Sequence, residues 1–499
     1  MKFTDRQIII FSALLVSLPL FFIGITGYDA VHHLIVSRLF AEQFFAGDLY
    51  PRWLFKAEAG YGSAVLCTYP AFYYYITLIF YPLKYLDALL NLPQGQLALY
   101  SSATLSMVLS ALACHRLILL YIDDKKAVLG AAIFYLAFTY HLVDLYSRFA
   151  LSELWAFVFI PLCIFYLKKD SFAKFTLSLA ALALAHMLSV VMLLPVLIVL
   201  IMIEKQPKFF FAIILSLMLT AFYWAPGLEY APLLSLPEGT GSYSIAANFL
   251  NPDKLVFFLS SFIPIIVVAL TFFPVLKRRE LEPGFWLLVG AACIFMSFSV
   301  SAFIWDILPP LMHKLSFPWR FLIISAIAST LLLTRIPGKL YPALIIISLT
   351  LALPGLMEKN SEDPNKYLES NLLNLDAYRG KWTPQSLVTK DGFKSAEKLQ
   401  QLKFDGVTTI FRTREILVLS DKSGWVTIPQ FYFPNWKSDY ELRPEPKTGL
   451  IQANLPKPTS FTIKFEHSKT EKITLLISFI TLLLLALKNR HAFVLRKRR

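Results

Sequence analysis

The chain has 499 residues, 57% of them hydrophobic and 16% charged, with a mean hydropathy of +0.59. These values exclude an ordinary water-soluble globule and indicate a polytopic membrane protein. The net charge of +14 is therefore read by its location on two membrane faces; no nucleic-acid partner is expected. Cys67, Cys114, Cys163 and Cys293 lie far apart with no CxxC spacing, which signals neither a disulfide framework nor a zinc ribbon.

Apolar runs long enough, or nearly so, to cross about 30 Å of hydrocarbon lie near residues 8–26, 98–121, 127–143, 154–167, 172–186, 188–203, 208–226, 254–275, 284–304, 319–335, 340–356 and 472–487. The first follows Lys2 and Arg6 as a signal peptide would, but lacks a clear small-residue cleavage site and reads as a retained span. A thirteenth run, Pro70–Tyr85, is rich in tyrosine and proline. If it crossed, every later loop would change sides. With it not crossing, 21 Lys and Arg fall on the cytoplasmic side against 8 opposite, outside the soluble segment. That asymmetry makes Pro70–Tyr85 an interfacial or re-entrant helix, with Tyr73, Tyr74 and Tyr75 as belt residues.

The expected fold is thus an α-helical polytopic protein of about 12 transmembrane helices plus an interfacial helix. Both termini are cytoplasmic, in the inner membrane if the cell is bacterial. Segments 27–97, 144–153, the turn at His186, 227–253 and 305–318 share the outer face. The segment 357–470 joins them. It opens with the polar connector "EKNSEDPNKYLESN", and from Gly406 onward "ILVLS", "WVTIPQFYF", "LIQANL" and "FTIKFEH" alternate with period two between turn residues. They read as a small antiparallel β-domain. The chain accordingly divides into a transmembrane domain over residues 1–356, a connector and β-rich domain over 357–470, and a last helix with a basic tail over 471–499.

Ionisable residues gather on the outer face. In "GYDAVHHLIVSR", Asp29, His32 and His33 stand at i, i+3 and i+4, sharing roughly one helix face. Asp29 either caps that helix or serves a reaction; the histidines either lie at the wet interface or join it. In "YSRFALSELW", Arg148 and Glu153 flank the start of a span, as an interfacial pair or as a functional one. His186 divides "ALALAHMLSVVML", where a hydrogen-bonded turn residue competes with a site residue. "LSFPWRFL" places Trp319 and Arg320 at the head of a span, either as an anchor with a snorkelling arginine or as a grip on a lipid phosphate shared with Arg148 or Arg52. No Walker loop, GxGxxG, HExxH or GxSxG motif is present, so no cofactor is expected. Asp29, His32 and His33 lack a clear fourth ligand, so no metal site is assigned.

Several motifs together carry a resemblance. They are Asp29 to His33, "LYPRW" (49–53), "GYGSAVLCTYP" (60–70), "RFALSELWA" (148–156), "AHMLS" (185–189), "FPWRFL" (317–322) and "FYFPNWK" (431–437). In this order they resemble the bacterial multi-pass proteins labelled 6-pyruvoyl-tetrahydropterin synthase-related. Those in turn are similar to YfhO-type members of the GT-C glycosyltransferase superfamily. The resemblance implies a GT-C fold, an acid in the first outer loop, a polyprenyl-phosphate-linked sugar as donor, and transfer on the non-cytoplasmic face to an envelope glycan, lipid or protein. Asp29 matches the acid and His33 the histidine four residues on, while His32 is extra. Asn435 stands where the family has glycine, and "RPEPKTG" replaces an Asp-Gly hairpin. On this reading Asp29, His33 and Glu153 are catalytic, and Arg52, Arg148, His186, Arg320, Trp319 and His32 bind substrate. The competing readings are a lipid-linked glycan flippase, which needs a charged path to both faces, and a non-catalytic envelope assembly factor.

Overall fold

Thr4 opens the first helix, Asp5–Ser17, with a capping box: its hydroxyl accepts from the Gln7 N–H at 3.3 Å, and Gln7 Oε1 accepts from the Thr4 N–H at 2.9 Å. The computed structural model describes residues 3–235, 243–357, 364–373, 379–384, 398 and 401–497. Residues 358–363 of the polar connector and residues 236–242 of the segment 227–253 lie outside them.

The described residues are predominantly helical. Gln96–Ile118, Leu151–Lys168, Gly338–Met357 and Lys469–Lys488 are each long and apolar enough to cross a membrane. Three further candidates are bent pairs: Lys125–Leu136 with Thr139–Arg148 at 41°, Lys208–Leu219 with Ala221–Leu233 at 62°, and Pro252–Ser260 with Phe262–Arg278 at 51°. Hydropathy foresees unbroken runs there, but hydroxyls at the breaks turn back on the chain. Thr220 Oγ1 donates to the Ser216 carbonyl at 3.0 Å, and Ser261 Oγ to that of Phe258 at 2.7 Å, taking acceptors a straight helix would use.

Gln96–Ile118 packs on Leu151–Lys168 and on Asp5–Ser17, and its Ser102, Ala103, Ser106, Ser110 and Ala111 are fully buried. Small residues allow this close approach where apolar burial gives little preference for helix over lipid.

Phe72–Phe80 has nine residues, about 14 Å of helix against about 30 Å of hydrocarbon. Its tyrosines correct one expectation. Tyr73 and Tyr74 are at most 1% exposed and are not belt residues, because this face packs on helix Ala30–Phe45, where the Tyr74 hydroxyl meets His33 Nδ1 at 3.0 Å. Of the three, only Tyr75 is half-exposed.

Near the C-terminus the described residues form seven antiparallel strands in two sheets. Strands β1 (Val407–Phe411), β2 (Glu415–Ser420), β3 (Gly424–Phe431), β4 (Trp436–Lys437), β5 (Leu442–Pro444), β6 (Leu450–Leu455) and β7 (Thr459–Phe465) pair in the orders β1-β2-β7-β4 and β3-β6-β5. Alternation places Ile416, Val418, Ile428, Ala453 and Ile463 inside. The core is completed by the segment 27–97: Trp53 inserts among Phe433, Trp436 and Phe465 and donates its indole N–H to Gln430 at 2.8 Å. Gly62, at φ +83°, lies against Trp53 and Gln430 so closely that any β-carbon would collide.

Candidate functional site

The first loop docks on the helix break that follows Lys125–Leu136 and Thr139–Arg148. Gly27, at φ +95°, lets the chain run against Arg148 and Phe149; a β-carbon there would sit 2.9 Å from the Arg148 carbonyl carbon. The N–H groups of Tyr28 and Asp29 then donate to the carbonyls of Ser147 and Arg148 at 3.1 and 2.8 Å. This fixes Asp29 at the start of Ala30–Phe45. Although it occupies the capping position, its side chain makes no capping hydrogen bond. The carboxylate is half-buried and lies within electrostatic reach of Arg148, Arg320 and Glu153. Burial pushes its pKa up, while the two guanidiniums pull it back.

Arg148 ends a π-helical turn, Asp144–Arg148, after which Phe149 takes φ +54° and the helix Leu151–Lys168 begins. Such turns are uncommon and concentrate at functional sites. The turn aims Arg148 Nη1 at three acceptors: Asp144 Oδ1 at 2.7 Å, Glu153 Oε1 at 2.8 Å and the Tyr140 hydroxyl at 3.1 Å. Arg320 Nε reaches the same Glu153 oxygen at 3.0 Å, and its Nη1 donates to the Leu315 carbonyl at 2.8 Å. Tyr140 donates to the second oxygen of Glu153 at 2.8 Å. Glu153 is 1% exposed and Asp144 fully buried; both are balanced by the arginines, as buried charges must be.

His186 sits in extended conformation between helices Phe172–Ala185 and Met187–Ile203, with Nδ1 2.8 Å from Ser189 Oγ, and faces Glu153 and Arg320. His33 is fully buried; beyond Tyr74, its Nε2 has no hydrogen-bond partner among the described residues. Burial lowers the pKa of His32 to about 4 and that of His33 well below its usual value, leaving both rings neutral near neutral pH.

The structure thus gathers Asp29, Arg148, Glu153, His186 and Arg320, with His32 and His33 one helical turn beyond Asp29. Two residues expected there are placed elsewhere. Trp319 stacks on Phe257 at 4.4 Å and Phe317 at 4.9 Å, a packing role. Arg52 pairs with Glu471 at 2.7 Å and donates to the Tyr50 hydroxyl and the Cys67 carbonyl, each at 3.0 Å, and so is held by the head of the last helix. Asp144 and Tyr140 belong to the cluster without having been singled out from the sequence. The acid at i−4 from Arg148 in "DLYSR" is the signal that could have found the first of them. Among the described residues no three His, Cys, Asp or Glu converge to hold a metal ion.

Fold and site define a helical membrane protein with a charged knot at a helix break beside a small β-domain. No family model and no curated protein matches the chain. Among solved structures it is similar to the cryo-EM structure of the arabinofuranosyltransferase AftD from mycobacteria, at 13% identity and a TM-score of 0.46. That alignment covers 94% of this chain and 40% of AftD, so the chain spans well under half the length of that protein.

Proposed function

We propose that the chain is a GT-C type membrane glycosyltransferase that moves a sugar from a polyprenyl-phosphate donor to a cell-envelope acceptor on the non-cytoplasmic face. The observation that carries this reading is the uncommitted carboxylate of Asp29, held at a helix start without capping it, beside Arg148 and Arg320. Burial makes that carboxylate a stronger base than a solvated one, as general-base catalysis needs.

In the reaction, Asp29 takes the proton of an acceptor hydroxyl as its oxygen bonds to the anomeric carbon. The anomeric carbon–phosphate oxygen bond breaks, and the lipid phosphate leaves with the electron pair. Arg148, its side chain 8% exposed, commits Nη1 to two carboxylates and a tyrosine and acts as a positioning residue. Glu153, with both oxygens engaged, does the same. Arg320, whose side chain is 14% exposed, is the better placed of the two arginines to meet the leaving phosphate. His33, neutral and one turn from Asp29, orients that turn through Tyr74. The sharing of Glu153 by both arginines favours an enzyme over a flippase, because it gathers charge at one level of the molecule instead of spreading it along a path.

The test incubates purified protein with a panel of polyprenyl-phosphate sugars and assays release of the lipid phosphate. Turnover with at least one donor, lost in Asp29→Asn, is expected. Movement of intact lipid-linked sugar across a vesicle bilayer without release would replace this reading with the flippase.

A further inference from the structure

An acceptor has to reach Asp29, and a row of aromatic rings leads away from it. His32 and Tyr69 stand edge to face, 5.3 Å between centroids. Tyr69 lies within electrostatic reach of Asp29 and of Tyr223. The Tyr223 hydroxyl donates to the Thr68 carbonyl at 3.5 Å, and Tyr223 lies within electrostatic reach of Tyr50. Tyr50 and His467 lie nearly parallel, 5.9 Å apart at 22°. Both line a narrow crevice of about 10 Å³, room for about one water, at the seam between the first loop and the β-domain, with Asp48 and Arg414 on its wall. All five rings are half-buried, whereas the neighbouring Tyr73, Tyr74 and Tyr100 are at most 1% exposed.

We infer that the row from His32 through Tyr69, Tyr223 and Tyr50 to His467 is the track of a neutral saccharide chain, whose part remote from the reacting ring runs over the mouth of the seam crevice. The inference rests on the transferase reading and adds to it the class of acceptor. A sugar ring offers a flat C–H face that packs on an aromatic ring and a rim of hydroxyls needing donors and acceptors together. The rings supply the first. Tyr50 and the Asp48–Arg414 pair, joined at 2.5 Å with Arg414 44% exposed, supply the second. A hydrocarbon tail would strand that pair against apolar surface. An anionic chain would find no surplus charge, since Arg414 is matched by Asp48 and Arg52 by Glu471.

The test uses the full chain in nanodiscs, titrated with size-fractionated neutral oligosaccharides released from the envelope of the producing cell and followed by saturation-transfer NMR. Long fragments are expected to bind at least about fivefold more tightly than monosaccharides, and Tyr223→Ala to remove about that factor while Tyr223→Phe, which keeps the ring, retains it. Polyprenyl phosphate should not displace them, and Asp29→Asn should bind them as wild type does. Absence of binding, equal affinity for monosaccharides, an unaffected Tyr223→Ala, or displacement by the lipid overturns the track. Saccharide binding by a wild type that never releases lipid phosphate would instead overturn the transferase and leave the track standing.

Discussion

Arg148 and Glu153 are joined at 2.8 Å although five residues apart, a spacing that on a continuous helix would turn them roughly 140° away from each other. The π turn and the left-handed Phe149 between them close that angle. The pair therefore depends on the break, which leaves Asp144 relying on Arg148 while Glu153 shares Arg148 with Arg320. Arg148→Gln should cost roughly 3–5 kcal/mol, the range for stranding a buried partner, read as a fall in thermal midpoint in detergent. A cost near that of a surface pair, below about 1 kcal/mol, would show that water reaches the knot.

Asp29→Asn should abolish transfer at unchanged stability. General-base catalysis supplies about 100 to 10,000-fold, and the missing capping bond means that little structure depends on the charge. Transfer rate and melting temperature measured together decide it; wild-type turnover would end the catalytic role.

The acid limb of the rate profile should lie above that of an ordinary carboxylate. Asp29 must be ionised to act, its pKa is raised by burial, and the rate falls as pH drops through that raised value. Arg320→Gln removes a cation that holds the pKa down, so the limb should move to higher pH. Arg320→Lys keeps the charge but not the planar fork, so the limb should stay while the donor KM rises roughly tenfold. A limb identical in all three proteins contradicts the assignment.

Glu58 offers a second titration, in stability. It is 1% exposed, at φ +52°, with its N–H on the Asn371 carbonyl at 3.0 Å, and burial raises its pKa to about 8. The folded protein keeps this proton to about pH 8 while the unfolded chain releases it near 4.5, so stability declines as pH rises between those values. Glu58→Gln, which imitates the protonated acid, should be more stable than wild type at pH 8 by at least about 1.4 kcal/mol, one unit's worth, and equal to it at pH 4.5. Parallel melting curves across that range would refute the burial argument.

Gln94 and Lys126 are both exposed and flank the long helix Gln96–Ile118. Single cysteines there should label from opposite sides in oriented membranes. Labelling from one side would refute the charge-derived topology.

The strands of the β-domain were legible because period-two alternation in "ILVLS" and "FTIKFEH" follows directly from a half-buried sheet. Asp29, Arg148 and Glu153 were legible as costly charges near membrane depth. The bends were not, because hydropathy averages over Thr220 and Ser261 and does not see where a hydroxyl donates. Nor was the placement of Arg52: in sequence it is one more arginine of the first loop, and only the fold brings Glu471 to it.

That last pairing bears on how the molecule is made. Arg52 and Glu471 are 3% and 4% exposed, and Glu471 also accepts from Ser468 N–H in a capping box and from Tyr230. Synthesis delivers Arg52 early and Glu471 near the end. Until then the guanidinium has no counter-charge, and Trp53 beside it has no sheet to enter. The part of the first loop around Arg52 and Trp53 can therefore mature only after the final helix is inserted, and a ribosome that stalls before Glu471 releases a chain whose early half is still a target for quality-control proteases.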